Sequence, residues 1–293
     1  MTGHSHIRVA AGSDIGKRRH NNQDNCFASN GIYVVCDGMG GGVGGERASA
    51  LAIERFKALA NESVRTRKAI ESTLNAAQHD VYNLGRNLGG VAGTTATGII
   101  LPSCPSRDSS EQDGIEQTPL WYVINVGDSR TYHFDCDRQG APIASSISHI
   151  TKDHSQRQQA IDLGLMPPEM ANATIPRNII TQCIGAPQGI KPDFYAVVPQ
   201  GRFVICSDGL YAELDDASIG AICHANPEPQ QAVDALITAA LNAGGDDNIT
   251  VIVVDVNSNS IADGPNPWHA SRLDDEEELE TLGDVTLDSL HTV

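Results

Sequence analysis

The 293 residues are enough for one large domain or two small ones, and a hydrophobic content of 40% can bury a sizeable core, which excludes a chain that is disordered throughout. The formal net charge of −17 disfavours nucleic acid and anionic membrane surfaces as partners and suits divalent cations. No apolar run approaches the roughly 18 residues of a membrane-spanning helix, and residues 1–8 lack the apolar segment of a secretory signal, so we expect neither.

Apolar runs and helical spacing predict alternating strands and helices up to about residue 257. Strands are predicted over 31–36, 94–101, 120–126, 203–206 and 249–256. Helices are predicted over 46–60, 64–88 and 227–243. Gly127-Asp128 separates two strand-like runs within 121–134 and predicts a hairpin. Because the strands occur in adjacent pairs, the pattern favours antiparallel sheets and an α+β fold over a parallel βαβ sheet.

Negative charge is concentrated at the C-terminal end. From Ser258 onward the chain has nine acidic residues and one basic residue, and 257–267 is rich in turn formers. We therefore predict one domain over 5–257, followed by an acidic, disordered tail over 258–293. The alternative is a short helix near 279–290 that docks on the domain.

The cysteines indicate the cellular compartment. Seven cysteines form an odd set without a CxxC pair, and several of them lie inside apolar runs. This pattern predicts small buried side chains in a reducing environment and disfavours a disulfide framework or a zinc site. We therefore expect a cytoplasmic protein.

Four aspartates, Asp37, Asp128, Asp208 and Asp247, lie at the end of an apolar run with a glycine close by. Carboxylates that converge from several strand ends repel each other unless a cation lies between them, and hard oxygen ligands suit Mg²⁺ or Mn²⁺. Two such ions bridged by one carboxylate would hold a hydroxide for attack on phosphorus. Each aspartate alone is more simply a turn cap beside glycine. All four together favour the metal interpretation.

Arg19 lies in a basic stretch, and its guanidinium can hold a phosphoryl group with two parallel hydrogen bonds. Taken alone, adjacent basic residues are more often a solvated surface patch. The glycine-rich run 38–45 lacks the GxxxxGK[ST] pattern and has no GxGxxG followed by a ribose-binding acid in a βαβ unit. We interpret this run as a turn from strand to helix.

Nine short motifs follow one another over about 250 residues: 13–16, 19–24, 35–49, 93–95, 127–130, 151–155, 180–185, 207–209 and 245–250. In this order they resemble the metal-dependent serine/threonine protein phosphatase family (protein phosphatase type 2C) in its bacterial form. The resemblance implies a four-layer αββα sandwich of two mainly antiparallel sheets flanked by helices. It also implies hydrolysis of phosphoserine and phosphothreonine that depends on two Mg²⁺ or Mn²⁺ ions, with a third ion in bacterial members.

The resemblance implies roles for single residues at the metals. Asp37 would bridge both ions, Gly38 would give one of them its backbone carbonyl, and Asp208 and Asp247 would supply the remaining carboxylates. Asp128 would bind the third, weaker ion together with Asp208.

Further residues are implied around the metals. Arg19 would bind the phosphoryl group, and Asp24 would hydrogen-bond metal-bound water. The stretch between His154 and Ile179 matches a mobile flap that borders the substrate site. Phosphorylated proteins, including a serine/threonine kinase and its substrates, are the implied partners.

Three positions depart from the family pattern. Gln23 stands where the family usually has Glu, and the loss of this charged group next to the metal ligands could lower metal affinity by about 10–100-fold. Gly42 replaces a His of bacterial members, and Met39 replaces the His proposed as general acid in eukaryotic members. A metal-bound water and a nearby His are both candidates for the general acid.

Two alternatives to an active protein phosphatase stay open. A pseudophosphatase that serves as a binding or sensing module would be indicated by loss of a metal aspartate, but all four are present and only Gln23 favours it. A metal-dependent hydrolase of nucleotides or small phosphates would use the same centre. The cysteine-based phosphatases are disfavoured, because no Cys-x5-Arg loop is present.

Overall fold

Two antiparallel β-sheets lie face to face at the centre of the fold, because their strands carry apolar side chains on both faces. In β6 (Trp121–Val126), every residue is buried. The structure is a computed structural model, and it describes residues 6–40, 43–103, 120–257, 270–275 and 277–279. Tyr33, Val35, Phe203 and Ile252 belong to the apolar layer between the two sheets.

All strand pairings within the described ranges are antiparallel. The first sheet has the order β1 (His6–Asp14), β11 (Ile249–Asn257), β10 (Gly201–Cys206), β7 (Arg130–Phe134) and β8 (Ser148–His149). The second sheet has the order β12 (Ala270–Arg272), β9 (Asp193–Val197), β6, β5 (Ala96–Ile100), β3 (Ile32–Met39) and β2 (Asp24–Ser29), with β4 (Gly93–Thr94) also paired to β3.

Helices cover the outer face of each sheet. The longer helices are α1 (Val43–Leu59) and α2 (Arg67–Asn87) on the second sheet, and α6 (Asp216–Ala225) and α7 (Pro229–Ala243) on the first. The shorter ones are α3 (Gln156–Asp162), α4 (Pro168–Thr174), α5 (Asp208–Tyr211) and a 3₁₀ turn (Ala144–Ser146). The expected four-layer αββα sandwich is thereby confirmed. Within the described ranges, no helix has both the length and the apolar character needed to cross a bilayer.

Helix α2 illustrates why the predicted helices form. Ile70, Leu74, Ala77 and Val81 are buried at intervals of three or four residues, so one face of the helix packs on the second sheet. Thr66 caps its first turn by accepting a hydrogen bond from the backbone N–H of Ala69 at 3.3 Å. The three predicted helices correspond to α1, α2 and α7 with shifts of only a few residues at their ends.

The predicted hairpin at Gly127-Asp128 is wrong. β6 pairs with β5 and β9 in the second sheet, whereas β7 pairs with β10 and β8 in the first, so the turn carries the chain from one sheet to the other. Gly127 has φ of +108°, and a Cβ atom there would lie 2.5 Å from Cγ2 of Thr95. The glycine is required here by its positive φ and by the close approach of Thr95, which lies next to it across the β5–β6 pair of the second sheet.

The predicted tail also differs from the structure over 270–275 and 277–279, a segment that we call the C-terminal strap. Its residues Ala270–Arg272 form β12 against β9, and Leu273, 6% exposed, is buried in the core beneath α1 and α2. The buried Arg67 donates to the carbonyls of Asp274 and Glu277, the latter at 2.7 Å. A single leucine at the start of an acidic run has no periodicity, which is why the sequence pattern predicts a tail. Residues 258–269 and 280–293, including the alternative helix near 279–290, lie outside the described residues.

Candidate metal centre

Five aspartates meet at one end of the sandwich, where both sheets contribute. Asp37 lies in β3 directly opposite Asp24 of β2, Asp208 follows β10, Asp247 precedes β11, and Asp128 lies in the crossing between the sheets. Burial raises the pKa of Asp37 well above its usual value, and the charges of the other four aspartates raise it further. Burial and the charge of Asp247 also raise the pKa of Asp208. The four aspartates singled out in the sequence are therefore brought together, with Asp24 as the fifth.

The backbone of Asp37 is fixed by two threonines. Its N–H donates to Oγ1 of Thr95 at 2.9 Å, and its carbonyl accepts from Oγ1 of Thr94 at 2.9 Å and from the N–H of Thr95 at 2.8 Å. Oγ1 of Thr95 also lies 2.7 Å from Oγ of Ser129, next to Asp128. The Gly93-Thr94-Thr95 motif thus connects the strand that carries Asp37 to the crossing that carries Asp128.

Gly38 allows three backbone segments to approach closely. A Cβ atom at this position would lie 2.2 Å from the carbonyl oxygen of Gly45 and 2.4 Å from that of Gln23. The N–H of Gly38 donates to the Gln23 carbonyl at 3.1 Å, and Nε2 of Gln23 donates to the carbonyl of Gly40 at 3.3 Å. The neutral side chain of Gln23 therefore supports the glycine-rich turn, which a glutamate could not do as a donor.

Asp24 is a buried carboxylate with one oxygen bound and one open. Asp24 is only 7% exposed, and its Oδ2 accepts a hydrogen bond from Oγ of Ser207 at 2.7 Å. Oδ1 is buried and has no hydrogen-bond partner among the described residues. Burial raises the pKa of Asp24 to about 7, against the opposing effect of the Ser207 hydrogen bond. An open buried oxygen is typical of a carboxylate that binds a further group.

Asp128 is 5% exposed, and burial together with the charge of Asp208 raises its pKa to about 7. Its backbone carbonyl accepts a hydrogen bond from the hydroxyl of Tyr211 at 2.8 Å. Arg130 packs 3.7 Å above the ring of Tyr211 and donates to both oxygens of Asp153, at 3.0 and 2.7 Å. The 127–130 and 151–155 motifs could be identified in the sequence. That Asp153 of the second motif binds Arg130 of the first is seen only in the structure.

Arg19 and Asp247 form an ion pair at the open side of the site. Nη2 of Arg19 lies 2.6 Å from Oδ2 of Asp247, and their side chains are 49% and 32% exposed. The charges of Asp247, Asp208 and Asp37 raise the pKa of Arg19, although burial opposes this. The residue expected to bind phosphate therefore lies beside the expected metal ligands.

Asn248 was missed as a functional residue in the sequence. Its Oδ1 accepts from the N–H of Gln23 at 2.8 Å, and its Nδ2 donates to the carbonyls of Ile15 and Asn21 at 2.9 and 3.1 Å. Its own N–H donates to Oδ1 of Asp247 at 2.8 Å. A buried amide next to a candidate ligand is the signal that could have identified it.

The donor set fits a hard divalent cation. Four of the five carboxylates have a raised proton affinity, and one of these four has an open buried oxygen. Among the described residues, the cation that forms an ion pair with the five aspartates is the half-exposed Arg19. Within the described ranges, no three or more carboxylate, imidazole or thiol side chains are grouped closely enough to hold a metal ion by themselves. Mg²⁺ and related ions keep several water ligands, so a complete protein cage is not required.

Met39 and Gly42 are the two positions at which the sequence replaces a His of the family. Met39 is the last residue of β3, and Gly42 lies outside the described residues.

The segment expected to form a flap contains α3 and α4, and its exposed side chains include Leu163, Leu165 and Met170.

Known proteins resemble this chain in sequence and in fold. The serine/threonine protein phosphatase PstP of Mycobacterium tuberculosis is 30% identical over 257 residues, which are 85% of this chain and 45% of PstP, so the chain spans less than half of that relative. The protein phosphatase PhpP of Streptococcus pneumoniae is 29% identical over 265 residues, 86% of this chain and 98% of PhpP. No family model matches the chain.

Solved structures show the same fold. The PPM Ser-Thr phosphatase MsPP of Mycobacterium smegmatis, in complex with cacodylate, has 31% identity and a TM-score of 0.69 over 85% of this chain and 98% of its own. The catalytic domain of PstP, in complex with two manganese ions, has 28% identity and a TM-score of 0.68 over the same shares. With the motif order, the αββα sandwich and the converging aspartates, these similarities lead to one conclusion: the chain belongs to the metal-dependent (PPM, type 2C) family of serine/threonine protein phosphatases, in its bacterial form.

Proposed function

We propose that the chain is a protein serine/threonine phosphatase that hydrolyses phosphoserine and phosphothreonine with two Mn²⁺ or Mg²⁺ ions. The observation that carries this proposal is the set of buried, mutually repelling carboxylates around Asp37, beside a half-exposed arginine. The manganese ions in the related PstP domain support the choice of metal.

Each residue has a proposed part. Asp37, Asp208 and Asp247 would hold the two ions together with the carbonyl of Gly38, and Asp128 would hold a third with Asp208. When bound, the ions supply Lewis-acid chemistry, in which they stabilise charge on the phosphoryl oxygens and activate the attacking water.

The remaining residues orient the reacting groups. Arg19 would exchange Asp247 for the phosphoryl oxygens, because its half-exposed guanidinium can turn toward the open side. Oδ1 of Asp24 would accept a hydrogen bond from water, since Oδ2 is already held by Ser207. His154 is a poor candidate for the general acid, because both of its ring nitrogens have partners, the N–H of Gly127 and a carboxylate oxygen of Asp193.

We further propose phosphorylated proteins as substrates, among them a serine/threonine kinase and its targets, and the cytoplasm as the compartment. The names of the related phosphatases support the first point. The second is supported by six cysteines that are free in the described part of the chain.

The test is hydrolysis of a phosphothreonine peptide by the purified chain with Mn²⁺, with Mg²⁺ and with EDTA. We expect turnover that depends on the metal, is lost in Asp37→Asn and is retained in Asp234→Asn, a matched variant of an exposed carboxylate. Turnover that survives EDTA or Asp37→Asn would refute the proposal. Faster turnover of nucleotides than of the peptide would favour the small-phosphate hydrolase, and Mn²⁺ binding without turnover would favour the binding module.

A further inference from the structure

Gly127, the residue before Asp128, is bound through both its backbone N–H and its backbone carbonyl by one histidine, His154. The N–H of Gly127 donates to Nδ1 of His154 at 3.1 Å, and the carbonyl of Gly127 accepts from the backbone N–H of His154 at 2.9 Å. Because Gly127 links β6 in one sheet to β7 in the other, its position sets where Asp128 lies. His154 therefore directly holds the turn at Gly127 that connects the two sheets.

The orientation of the His154 ring is set from its other nitrogen. Nδ1 accepts from an N–H, so the ring proton must be on Nε2, which lies 3.2 Å from Oδ2 of Asp193. The side chains of His154 and Asp193 are only 10% and 7% exposed. A buried carboxylate that accepts the second ring proton fixes both the tautomer and the plane of an imidazole.

Asp193 is in turn bound by the C-terminal strap. Nη2 of Arg272 in β12 makes an ion pair with Oδ1 of Asp193, the oxygen that does not contact His154. The strap is held in register by β12 pairing and by the N–H of Leu273, which donates to the carbonyl of Phe194 at 2.8 Å. The pKa of Asp193 is lowered by His154 and Arg272, although burial alone would raise it, so the carboxylate is present in its charged form.

We propose that the C-terminal strap positions Asp128 for metal binding through a relay of three side chains, Arg272, Asp193 and His154, which ends on the Gly127 peptide. The inference rests on the proposed function, in which Asp128 holds the third ion. His154, Asp193 and Arg272 are positioning residues, because none of them touches the ion or the substrate. The C-terminal strap thus contributes to the proposed metal centre in addition to covering the edge of β9.

The experiment uses the full chain and Mn²⁺ alone as the probe. Isothermal titration of the metal-stripped protein with Mn²⁺ is compared among wild type, Asp128→Asn, His154→Ala, His154→Asn and Arg272→Gln. Asp128→Asn defines the isotherm that lacks the weak site. We expect His154→Ala to weaken that site by about 10-fold or more, as is typical for groups that orient metal ligands, and Arg272→Gln to weaken it in the same direction but less.

Two variants give the experiment its controls. In His154→Asn, Oδ1 takes the place of Nδ1 and can still accept from Gly127, but the shorter side chain has no atom at the position of Nε2 that contacts Asp193, so we expect an affinity between those of wild type and His154→Ala. Lys191→Ala removes an exposed ion pair of the same strap, Lys191 with Asp275 at 3.1 Å, and should leave the isotherm unchanged. A purely structural role of the strap would lower the melting temperature without changing Mn²⁺ affinity.

The outcomes separate this inference from the proposed function. If His154→Ala and Arg272→Gln are folded and their isotherms match wild type, or if His154→Asn, which cannot contact Asp193, binds Mn²⁺ as tightly as wild type, the relay is overturned. If His154→Ala does not fold, Arg272→Gln decides, because its side chain is 56% exposed. A wild type that binds Mn²⁺ but hydrolyses no phosphopeptide refutes the proposed function, while the isotherms still decide the relay. A wild type that binds no Mn²⁺ overturns both.

Discussion

Replacing Asp24 by Asn should stabilise the metal-free protein at pH 8 but not at pH 5. The pKa of Asp24 is about 7 in the folded protein and 3.8 in the reference state, because its carboxyl is buried among other aspartates. Since the folded state binds the proton more tightly, this group contributes stability that is full below pH 3.8 and is lost as the pH rises through about 7. Asn, which does not titrate, has no such dependence.

The magnitude follows from the two pKa values. Between pH 5 and pH 8 the loss is about 2–3 kcal/mol, because each pKa unit corresponds to roughly 1.4 kcal/mol. The stability of Asp24→Asn minus that of wild type should therefore increase by about 2–3 kcal/mol over this interval. Burial also lowers the pKa of His133 to about 3 and that of His149 to about 4, but both residues are present in both proteins and cancel from the difference.

The assay is urea unfolding in EDTA, followed by circular dichroism at pH 5 and pH 8. Asp234→Asn, which removes an exposed carboxylate and keeps Asp24, serves as the control, and its stability should vary with pH as that of wild type does. With saturating Mn²⁺ the advantage of Asp24→Asn should shrink, because the ions favour the charged carboxylate. An equal stability difference at pH 5 and pH 8 in EDTA would mean that Asp24 does not carry the raised pKa.

Three further predictions concern Leu273 of the C-terminal strap, Gly127 in the turn between the two sheets, and Arg19 at the proposed phosphate site. Leu273→Ala should reduce the free energy of unfolding by about 2–5 kcal/mol, since the residue is 6% exposed, and a loss below about 0.5 kcal/mol in urea unfolding would contradict its docking. Gly127→Ala should cost at least about 2 kcal/mol, because its Cβ would meet Thr95 at 2.5 Å and its φ is +108°; a wild-type melting curve would disprove the close approach. Arg19→Lys should lower kcat/KM for the phosphopeptide about 10–100-fold with an unchanged circular dichroism spectrum, and an unchanged kcat/KM would exclude a two-pronged guanidinium contact.

Local pattern in the sequence predicted the most apolar strands and the three longest helices, but it did not predict β1, β2, β9 or α6, nor which strands pair with each other. The spacing of Ile70, Leu74 and Ala77 identifies a helix because burial on one face repeats with the helical period. The turn at Gly127 carries the same residues as a hairpin, and only the distant pairing of β7 with β10 shows that the chain changes sheet. Leu273 gave no signal, since one buried residue has no period.

The candidate site shows the same division. The aspartates could be selected because each follows an apolar run beside glycine, and their meeting point was implied by the family resemblance. Asn248 and Asp153, which support the site, were not singled out, because their partners lie more than 20 residues away in the chain: the backbone N–H of Gln23 for Asn248 and the guanidinium of Arg130 for Asp153.

The pairing of the first strand with the last also bears on how the protein is made. β1 forms its ladder with β11, from His6 opposite Asn257 to Asp14 opposite Ile249, and β11 separates β1 from β10. During synthesis the first sheet therefore cannot be completed until residue 257 has left the ribosome, and Asp247 joins the other aspartates only at that stage. A nascent chain that already carries Asp37, Asp128 and Asp208 still lacks the assembled centre. The proposed metal site would therefore be completed only after β11 has been synthesised, because a chain that ends before β11 has not yet paired Asp247, one of the proposed ligands, with the rest of the site.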